Sequence, residues 1–219
     1  EGLKWAYIHG LGSEQTMSCF CDMYDQVPNN KTVGMLFPNS ADAQAWMDPT
    51  AAPKILGERG FLLVVPDYYQ FGAEDFSQQI SLFKKEGCDI LCGSNQPPDF
   101  TNFWKQSLQQ GYNPKLASTG IALFFPETLE AIGEIGYGLI GEVTWHPSWP
   151  YKDSLTGQTA QELADEYEAN TGHQWTPVIG TYAKFEWAVD VIKRATNPED
   201  KEEIVRAIRG TNMTTTIGP

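Results

Sequence analysis

Polar residues follow four predicted strands, at the points where each strand gives way to a loop. Short apolar runs predict these strands at residues 33–37, 88–92, 116–118 and 138–145. The residues at these points that could contact a small molecule are Ser40, Asp42, Asn95, Gln96, Thr119, Gly120 and Trp145. Because ligands of open α/β sheets sit outside the carboxyl ends of the strands, we expect these seven residues to form a binding site. Their side chains would bind a small molecule through hydrogen bonds and, at Trp145, through stacking.

Several of these residues also have a purely structural interpretation. Asn95 and Gln96 precede Pro97, and amides in turns often bond only to the backbone. Asp42 either binds a ligand ammonium or caps its helix, and capping is the favoured interpretation. Trp145 either stacks on a planar or apolar ligand or packs at a hinge. The sequence leaves both interpretations open.

Catalytic and metal-binding patterns do not emerge from the sequence. His9, His146 and His173 lack the spacing that places two metal ligands on one helix face. No G-x-S-x-G turn, P-loop or G-x-G-x-x-G turn follows a predicted strand. We therefore expect no enzyme activity, no metal and no cofactor. The alternative is a small-molecule hydrolase whose nucleophile and base converge from separate loops.

The charge balance excludes whole classes of partner. With 15 Lys and Arg against 28 Asp and Glu, the chain carries a net charge of -13, which repels nucleic acid and anionic membranes. The longest apolar strings have strand length, well short of the roughly 20 residues of a membrane span. We expect neither nucleic acid binding nor direct membrane insertion. The four cysteines, Cys19, Cys21, Cys88 and Cys92, lack metal-site spacing, and we expect mostly buried thiols.

Strands alternate with helices from residue 31 onward, which predicts an α/β fold with a doubly wound, mostly parallel sheet. A helix is expected at 41–58, broken at Pro49 and Pro53. The apolar run 61–65 predicts a buried parallel strand, and Asp75 is the predicted N-cap of the next helix.

Beyond residue 155 the pattern becomes helical. The longest of three helices carries one apolar face, made by Tyr182, Phe185, Val189 and Ile192. These helices have no sheet of their own, and we expect them to belong to a second, incomplete lobe.

The order of several short motifs resembles the type I periplasmic solute-binding proteins of ABC importers, the family of branched-chain amino-acid-binding proteins and extracellular ligand-binding receptors. The motifs are Gly12–Gln15, Val33–Asn39, Gly72–Ser77, Gly87–Leu91, Gln109–Tyr112, Thr181–Ala183 and Thr216–Pro219. The resemblance implies that residues 1–148 form lobe two, 149–154 a hinge crossing and 155–219 part of lobe one. The first half of lobe one and the strands after the final Gly-Pro would then be missing.

The resemblance also implies a function. Such a protein captures a small polar or aromatic molecule, an amide, a carboxylate or an amino-acid-like compound, between two lobes. Its partners are the membrane subunits of the importer, and it acts in the periplasm or outside the cell after removal of a signal peptide, in some cases with a lipid anchor. Amino-acid-binding members carry an acidic residue after the fourth strand, where this chain reads Ser118-Thr119-Gly120, so an α-amino acid is doubtful. The alternative is a ligand-sensing ectodomain or effector domain of the same fold in a receptor or regulator.

Overall fold

The computed structural model describes residues 4–7, 10 and 12–219. The predicted start of lobe two at residue 1 and the histidine at position 9 lie outside them. The chain divides into two compact units. Leu11–Glu142 form what we call the sheet unit, and Glu1–Gly10 with Val143–Pro219 form the helical unit. The expected boundaries at 148 and 154 stay a prediction.

The sheet unit alternates strands and helices, as the sequence predicts. Its strands are β1 (Thr32–Leu36), β2 (Leu62–Val64), β3 (Ile90–Gly93), β4 (Leu116–Ser118) and β5 (Leu139–Ile140). Its α-helices are α1 (Ser13–Tyr24), α2 (Ala41–Trp46), α3 (Ala52–Glu58), α4 (Ser77–Lys85), α5 (Pro97–Gln109) and α6 (Pro126–Ile132). Two 3₁₀ turns span Gly120–Leu123 and Gly133–Gly136.

All five strands are parallel and lie in the order β2-β1-β3-β4-β5. The strand ends are level, because Leu36 pairs with Gly93 and Ser118 pairs with both Cys92 and Ile140. The order reverses at β1 and β3, so the chain leaves these two strands toward opposite faces of the sheet. Such a switch point opens a crevice at the carboxyl ends of the strands. The predicted doubly wound α/β fold is confirmed.

The central strands are buried on both faces. On one face, Val33, Met35, Ile90 and Cys92 contact a core that includes Tyr24. On the other, the alternate strand positions and the aromatic side chains of α4 and α5 form a second core, with Leu36, Leu91, Phe76, Phe83, Phe100 and Phe103 among its members. Two covered faces explain the continuous apolar runs of β1 and β3. They also hold the loops at the carboxyl edge on rigid elements.

Three local predictions for the sheet unit need correction. β2 is parallel but is an edge strand, with Leu62 67% exposed, so the predicted two-sided burial is wrong. The break expected at Pro49 is confirmed, since Pro49 lies between α2 and α3, but the break expected at Pro53 is wrong. Pro53 lies in the first turn of α3, where its missing N–H has no intrahelical partner to lose. Phe76, not Asp75, is the N-cap of α4, although the Asp75 carboxylate accepts a hydrogen bond from the Ser77 N–H at 2.9 Å.

The predicted fifth strand is too long. β5 pairs with β4 only at Leu139 and Ile140, because β4 itself ends at Ser118. Trp145, expected at the end of this strand, lies instead in the helical unit.

The helical unit contains α7 (Ala160–Thr171), a 3₁₀ turn (Pro177–Tyr182), α8 (Ala183–Arg194) and α9 (Lys201–Arg209). Its small core joins Trp145 to Ala160 and Ala164, and Thr159 with Glu162 forms a capping box at α7. The apolar face predicted for α8 is partly uncovered, since Phe185 is 67% and Ile192 is 54% exposed. In the described part of the chain, no helix has the length and apolarity needed to cross a membrane.

Candidate functional site

The carboxyl edge of β1 and β3 brings together loops that the sequence separates by more than fifty residues. Residues 37–40 follow β1, and residues 94–96 follow β3. The first loop is held by reciprocal backbone bonds with Tyr69, which donates to Phe37 O at 3.2 Å and accepts from Asn39 N at 2.7 Å. We call residues 37–42, 94–96, 119–120 and 141–142 the edge site.

Ser40 and Asp42 lie at the start of α2. The Ser40 hydroxyl accepts a hydrogen bond from the Ala43 N–H at 3.1 Å, and Ser40 is therefore the N-cap. The expectation that Asp42 caps this helix is wrong. Asp42 occupies the first turn and is exposed, where its charge interacts favourably with the helix dipole and remains available to a ligand.

Asn95 is the most constrained polar residue of the edge site. Its side chain is 1% exposed, and its Oδ1 accepts a hydrogen bond from the Tyr69 hydroxyl at 3.0 Å. This bond orients the amide so that Nδ2 points away from Tyr69, and Nδ2 has no hydrogen-bond partner among the described residues. A Cβ built on Gly93 would lie 2.5 Å from Nδ2 and 2.2 Å from Leu36 O. Gly93 therefore admits the Asn95 amide to the junction of β1 and β3.

Thr119 and Gly120 form the next part of the edge. The Thr119 N–H donates to Ile140 O at 3.1 Å, and Thr119 O accepts from Asn95 N at 3.5 Å, so this residue joins the ends of β3 and β5. Thr119 is fully buried, yet its Oγ1 finds no partner in the part of the chain that the structure describes. Gly120 adopts φ +57°, a left-handed conformation that favours glycine. A Cβ built on Gly120 would lie 3.2 Å from Ser94 Cα, so the two loops approach each other closely here.

Glu142 is a site residue that the sequence prediction missed. It lies two residues beyond β5 and is half-buried. Burial raises the pKa of its carboxyl group, and the negative charge of Asp42 raises that pKa further. Both effects disfavour the ionised form of Glu142.

The remaining predicted residues lie in different surroundings. Gln96 is exposed at the N-cap of α5, and its side chain makes no capping hydrogen bond. Trp145 is fully buried in the core of the helical unit, in edge contact with Trp175, and its Nε1 donates to Thr216 Oγ1 at 3.1 Å. These contacts favour packing as the role of Trp145. Its predicted ligand contact stays a prediction.

Asp99 is a buried carboxylate whose charge acts on Tyr69, the hydrogen-bond partner of Asn95. It is 2% exposed, and its Oδ1 accepts from the Gly72 N–H at 3.0 Å, whereas Oδ2 is unpartnered within the described chain. Burial raises the pKa of Asp99, and both burial and the charge of Asp99 raise the pKa of Tyr69. Tyr69 therefore remains a neutral hydrogen-bond donor to Asn95 at physiological pH.

Two open grooves lie elsewhere. One of about 310 Å³ runs between α5 and α6, and one of about 450 Å³ is bounded by α7, the 3₁₀ turn and α8. None of the seven predicted site residues lines either groove. Among residues 4–7, 10 and 12–219, no three His, Cys, Asp or Glu side chains converge as a metal site would require.

The chain matches one protein family over nearly its whole length. A family model described as "Periplasmic binding protein" matches residues 11–219. The chain belongs to the periplasmic binding protein family. The members of this family are extracytoplasmic solute-binding proteins, and the predicted resemblance is confirmed.

Solved structures share the fold of this periplasmic binding protein. A leucine binding protein from Thermotoga maritima superposes with a TM-score of 0.72 at 21% identity, over 94% of this chain and 56% of that one. A fatty acid ABC transporter substrate-binding protein from Thermomonospora curvata gives 0.77 at 15% identity, over 99% and 56%. A solute binding protein from R. palustris in complex with benzoate gives 0.69 at 12% identity, over 94% and 54%.

The chain therefore spans little more than half the length of the solved periplasmic binding proteins that it matches. At these identities the superpositions establish the fold alone. The chemistry of the ligand must be argued from the edge site itself.

Proposed function

We propose that the sheet unit is the ligand-binding lobe of a solute-binding protein that delivers a small polar or aromatic molecule to an ABC importer. The observation that carries this proposal is the pair of buried polar atoms, Asn95 Nδ2 and Thr119 Oγ1, that are unpartnered among the described residues. An unsatisfied buried group costs about 1–3 kcal/mol. A ligand that hydrogen-bonds both atoms removes this cost on binding, and the two atoms therefore favour a polar ligand.

The position of the two atoms supports the same proposal. They lie at the carboxyl ends of β3 and β4, next to the switch point of a doubly wound sheet, where ligands of such folds bind. Ser40, Gln96 and Gly120 would complete the polar lining, with Gly120 allowing close approach of a ligand to the backbone. Within this proposal the chain binds its ligand without chemical conversion.

The helical unit is, in the same proposal, part of lobe one. Its described residues form no strand longer than an isolated bridge, and α8 exposes Phe185 and Ile192. An amphipathic helix with an uncovered apolar face is typical of an element that packs against further chain. In the complete protein, hinge closure of lobe one over the edge site would create the form that the membrane subunits recognise, in the periplasm or outside the cell.

A thermal-shift screen of the full-length protein tests the proposal. The panel contains amino acids, amides, polyols and aromatic acids, and a compound that binds only the folded state raises Tm, by an amount equivalent to about 2.7 kcal/mol at a hundredfold excess over Kd. We expect hits in one chemical class. These hits should weaken at least tenfold in Asn95→Ala and persist in Asn102→Ala, an exposed amide on α5.

Two results would contradict the proposal. A hit that is unaffected by Asn95→Ala and by Thr119→Val would move the binding site away from the edge. Silence across the whole panel would favour the alternative function, a receptor or regulator domain with a larger partner.

A further inference from the structure

We propose that Glu186 holds two separate segments of the helical unit together, so that hinge motion of the protein pivots at residues 141–143 rather than at 149–154. The two segments are residues 149–154, the predicted hinge crossing, and the turn at 215–218. We call this contact the Glu186 clamp. The clamp does not depend on a ligand, whereas the pivot rests on the proposed two-lobed function.

Glu186 is a buried carboxylate that bonds to two distant parts of the backbone. It lies in the first turn of α8 and is fully buried. Its Oε1 accepts a hydrogen bond from the Ser154 N–H at 2.7 Å, and its Oε2 accepts one from the Thr216 N–H at 2.9 Å. No ion pair among the described residues includes Glu186. Because a buried carboxylate without hydrogen bonds is costly, these two bonds fix the positions of both amides.

The turn at 215–218 is held by further contacts. A Cβ built on Gly218 would lie 3.1 Å from the ring of Tyr151, so the turn packs closely on the predicted crossing. Thr216 is fully buried, and its Oγ1 accepts from Trp145 Nε1 at 3.1 Å. Thr215 and Gly218 exchange backbone hydrogen bonds of 2.8 and 2.9 Å, which set the shape of the turn. Thr216 is therefore held through its amide and through its hydroxyl.

The end of the predicted crossing is fixed as well. The Asp153 carboxylate is 2% exposed and accepts from the N–H groups of Leu155 at 2.7 Å and Thr156 at 3.0 Å. The Asp153 N–H itself donates to Gln158 O at 2.9 Å. Together with the Ser154 amide, four consecutive amides are bonded. A hinge needs residues whose φ and ψ can change, and residues 153–156 do not meet this requirement.

Residues 141–143 have the opposite character. They lie outside every helix and strand, and their amides have no hydrogen-bond acceptor in the part of the chain that the structure describes. The border between the two units falls between Glu142 and Val143. The next residue is already fixed to the helical unit, since Thr144 Oγ1 donates to Pro177 O at 3.1 Å. A change in φ and ψ is therefore absorbed at 141–143, and Glu186 is a positioning residue that keeps the segments beyond this pivot rigid.

Amide hydrogen exchange of the full-length protein tests the clamp without a ligand. Exchange is read residue by residue by mass spectrometry with electron-transfer fragmentation. In the wild type, the Ser154 and Thr216 amides should exchange about a hundredfold more slowly than the amides of 141–143. Glu186→Ala should accelerate both amides by roughly tenfold or more, because it removes both acceptors. Glu186→Gln keeps one acceptor oxygen and should accelerate only one of the two amides.

Two controls separate the clamp from a general loss of stability. Glu199→Gln changes an exposed carboxylate of the same unit and should leave both amides unchanged. The Trp175 amide, which donates to Glu168 Oε1 at 3.0 Å, should keep its exchange rate in both Glu186 variants. If Glu186→Ala does not fold, the single accelerated amide expected in Glu186→Gln still decides the question. Unchanged exchange at Ser154 and Thr216 in a folded variant, or equal acceleration of Trp175, would overturn the clamp.

The pivot is tested by repeating the exchange measurement with the mixed panel of amino acids, amides, polyols and aromatic acids. We expect exchange at 141–143 to change by roughly tenfold and exchange at Ser154 and Thr216 to stay the same. Slow exchange at 141–143 in the ligand-free protein, or a panel that raises Tm and changes exchange at Ser154 instead, would overturn the pivot. A panel that neither raises Tm nor changes exchange would overturn the proposed function and the pivot with it, and would leave the clamp standing.

Discussion

The substitution Gly93→Ala tests the geometry of the edge site most directly. A Cβ at this position would lie 2.2 Å from Leu36 O and 2.5 Å from Asn95 Nδ2, whereas carbon and oxygen in contact are normally about 3.3 Å apart or more. Leu36 is the register partner of Gly93 on β1. The new methyl group must therefore push β1 and β3 apart by about 1 Å or displace the Asn95 amide.

Overpacking of this kind costs about 1–3 kcal/mol, and we expect the upper end because the obstructing oxygen belongs to the backbone of a central strand. Urea unfolding followed by circular dichroism should show a loss of about 3 kcal/mol. The control is Gly57→Ala in α3, where a Cβ meets nothing within 4 Å and better helix propensity should add about 0.5–1 kcal/mol. A Gly93→Ala protein as stable as wild type, or changed in the same direction as Gly57→Ala, would refute the close approach inferred here.

Three further predictions concern single side chains. Tyr69→Phe removes the hydroxyl that donates to Asn95 Oδ1, and calorimetry should show ligand binding weakened by about 1 kcal/mol, while an unchanged Kd would show that this bond does not orient the amide. Because the folded-state pKa of Glu142 lies above its ordinary value of 4.5, the ligand-free protein should lose stability as the pH rises from 4.5 through that raised pKa. Urea unfolding of Glu142→Gln should lack this loss, and an identical pH profile would contradict the assignment. Cys19 is exposed, whereas burial raises the pKa of Cys21 to about 11, so a thiol reagent should label Cys19 in the native protein, and equally rapid labelling of Cys21 would contradict the described core.

Local signals in the sequence predicted some elements to the residue. β4 has the predicted limits Leu116–Ser118, and α5 begins at Pro97 and ends just before Gly111, residue types that mark helix ends in a sequence. Proline at a first helical turn and glycine just past a helix end act locally, so the sequence alone reveals them. The expectation of mostly buried thiols is confirmed in the same way, with Cys21, Cys88 and Cys92 buried.

Properties that depend on spatial neighbours could not be read from the same patterns. The run 61–65 is as apolar as β3, yet β2 lies at the edge of the sheet and exposes Leu62. Strand order is set by the crossover connections, and periodicity contains no information about it. The apolar stripe of α8 was identified, but Phe185 is exposed because an amphipathic face is buried only where another element covers it.

The candidate site was predicted only in part, because some of its properties also depend on spatial neighbours. Asn95 and Thr119 were found because polar residues after short strands are visible in the sequence, although their unpartnered atoms are a property of packing. Glu142 was missed because the apolar pattern continued to Trp145, which placed Glu142 inside a predicted strand rather than at its end. The actual strand stops at Ile140, opposite Ser118, and the length of β4 therefore decides that Glu142 reaches the edge.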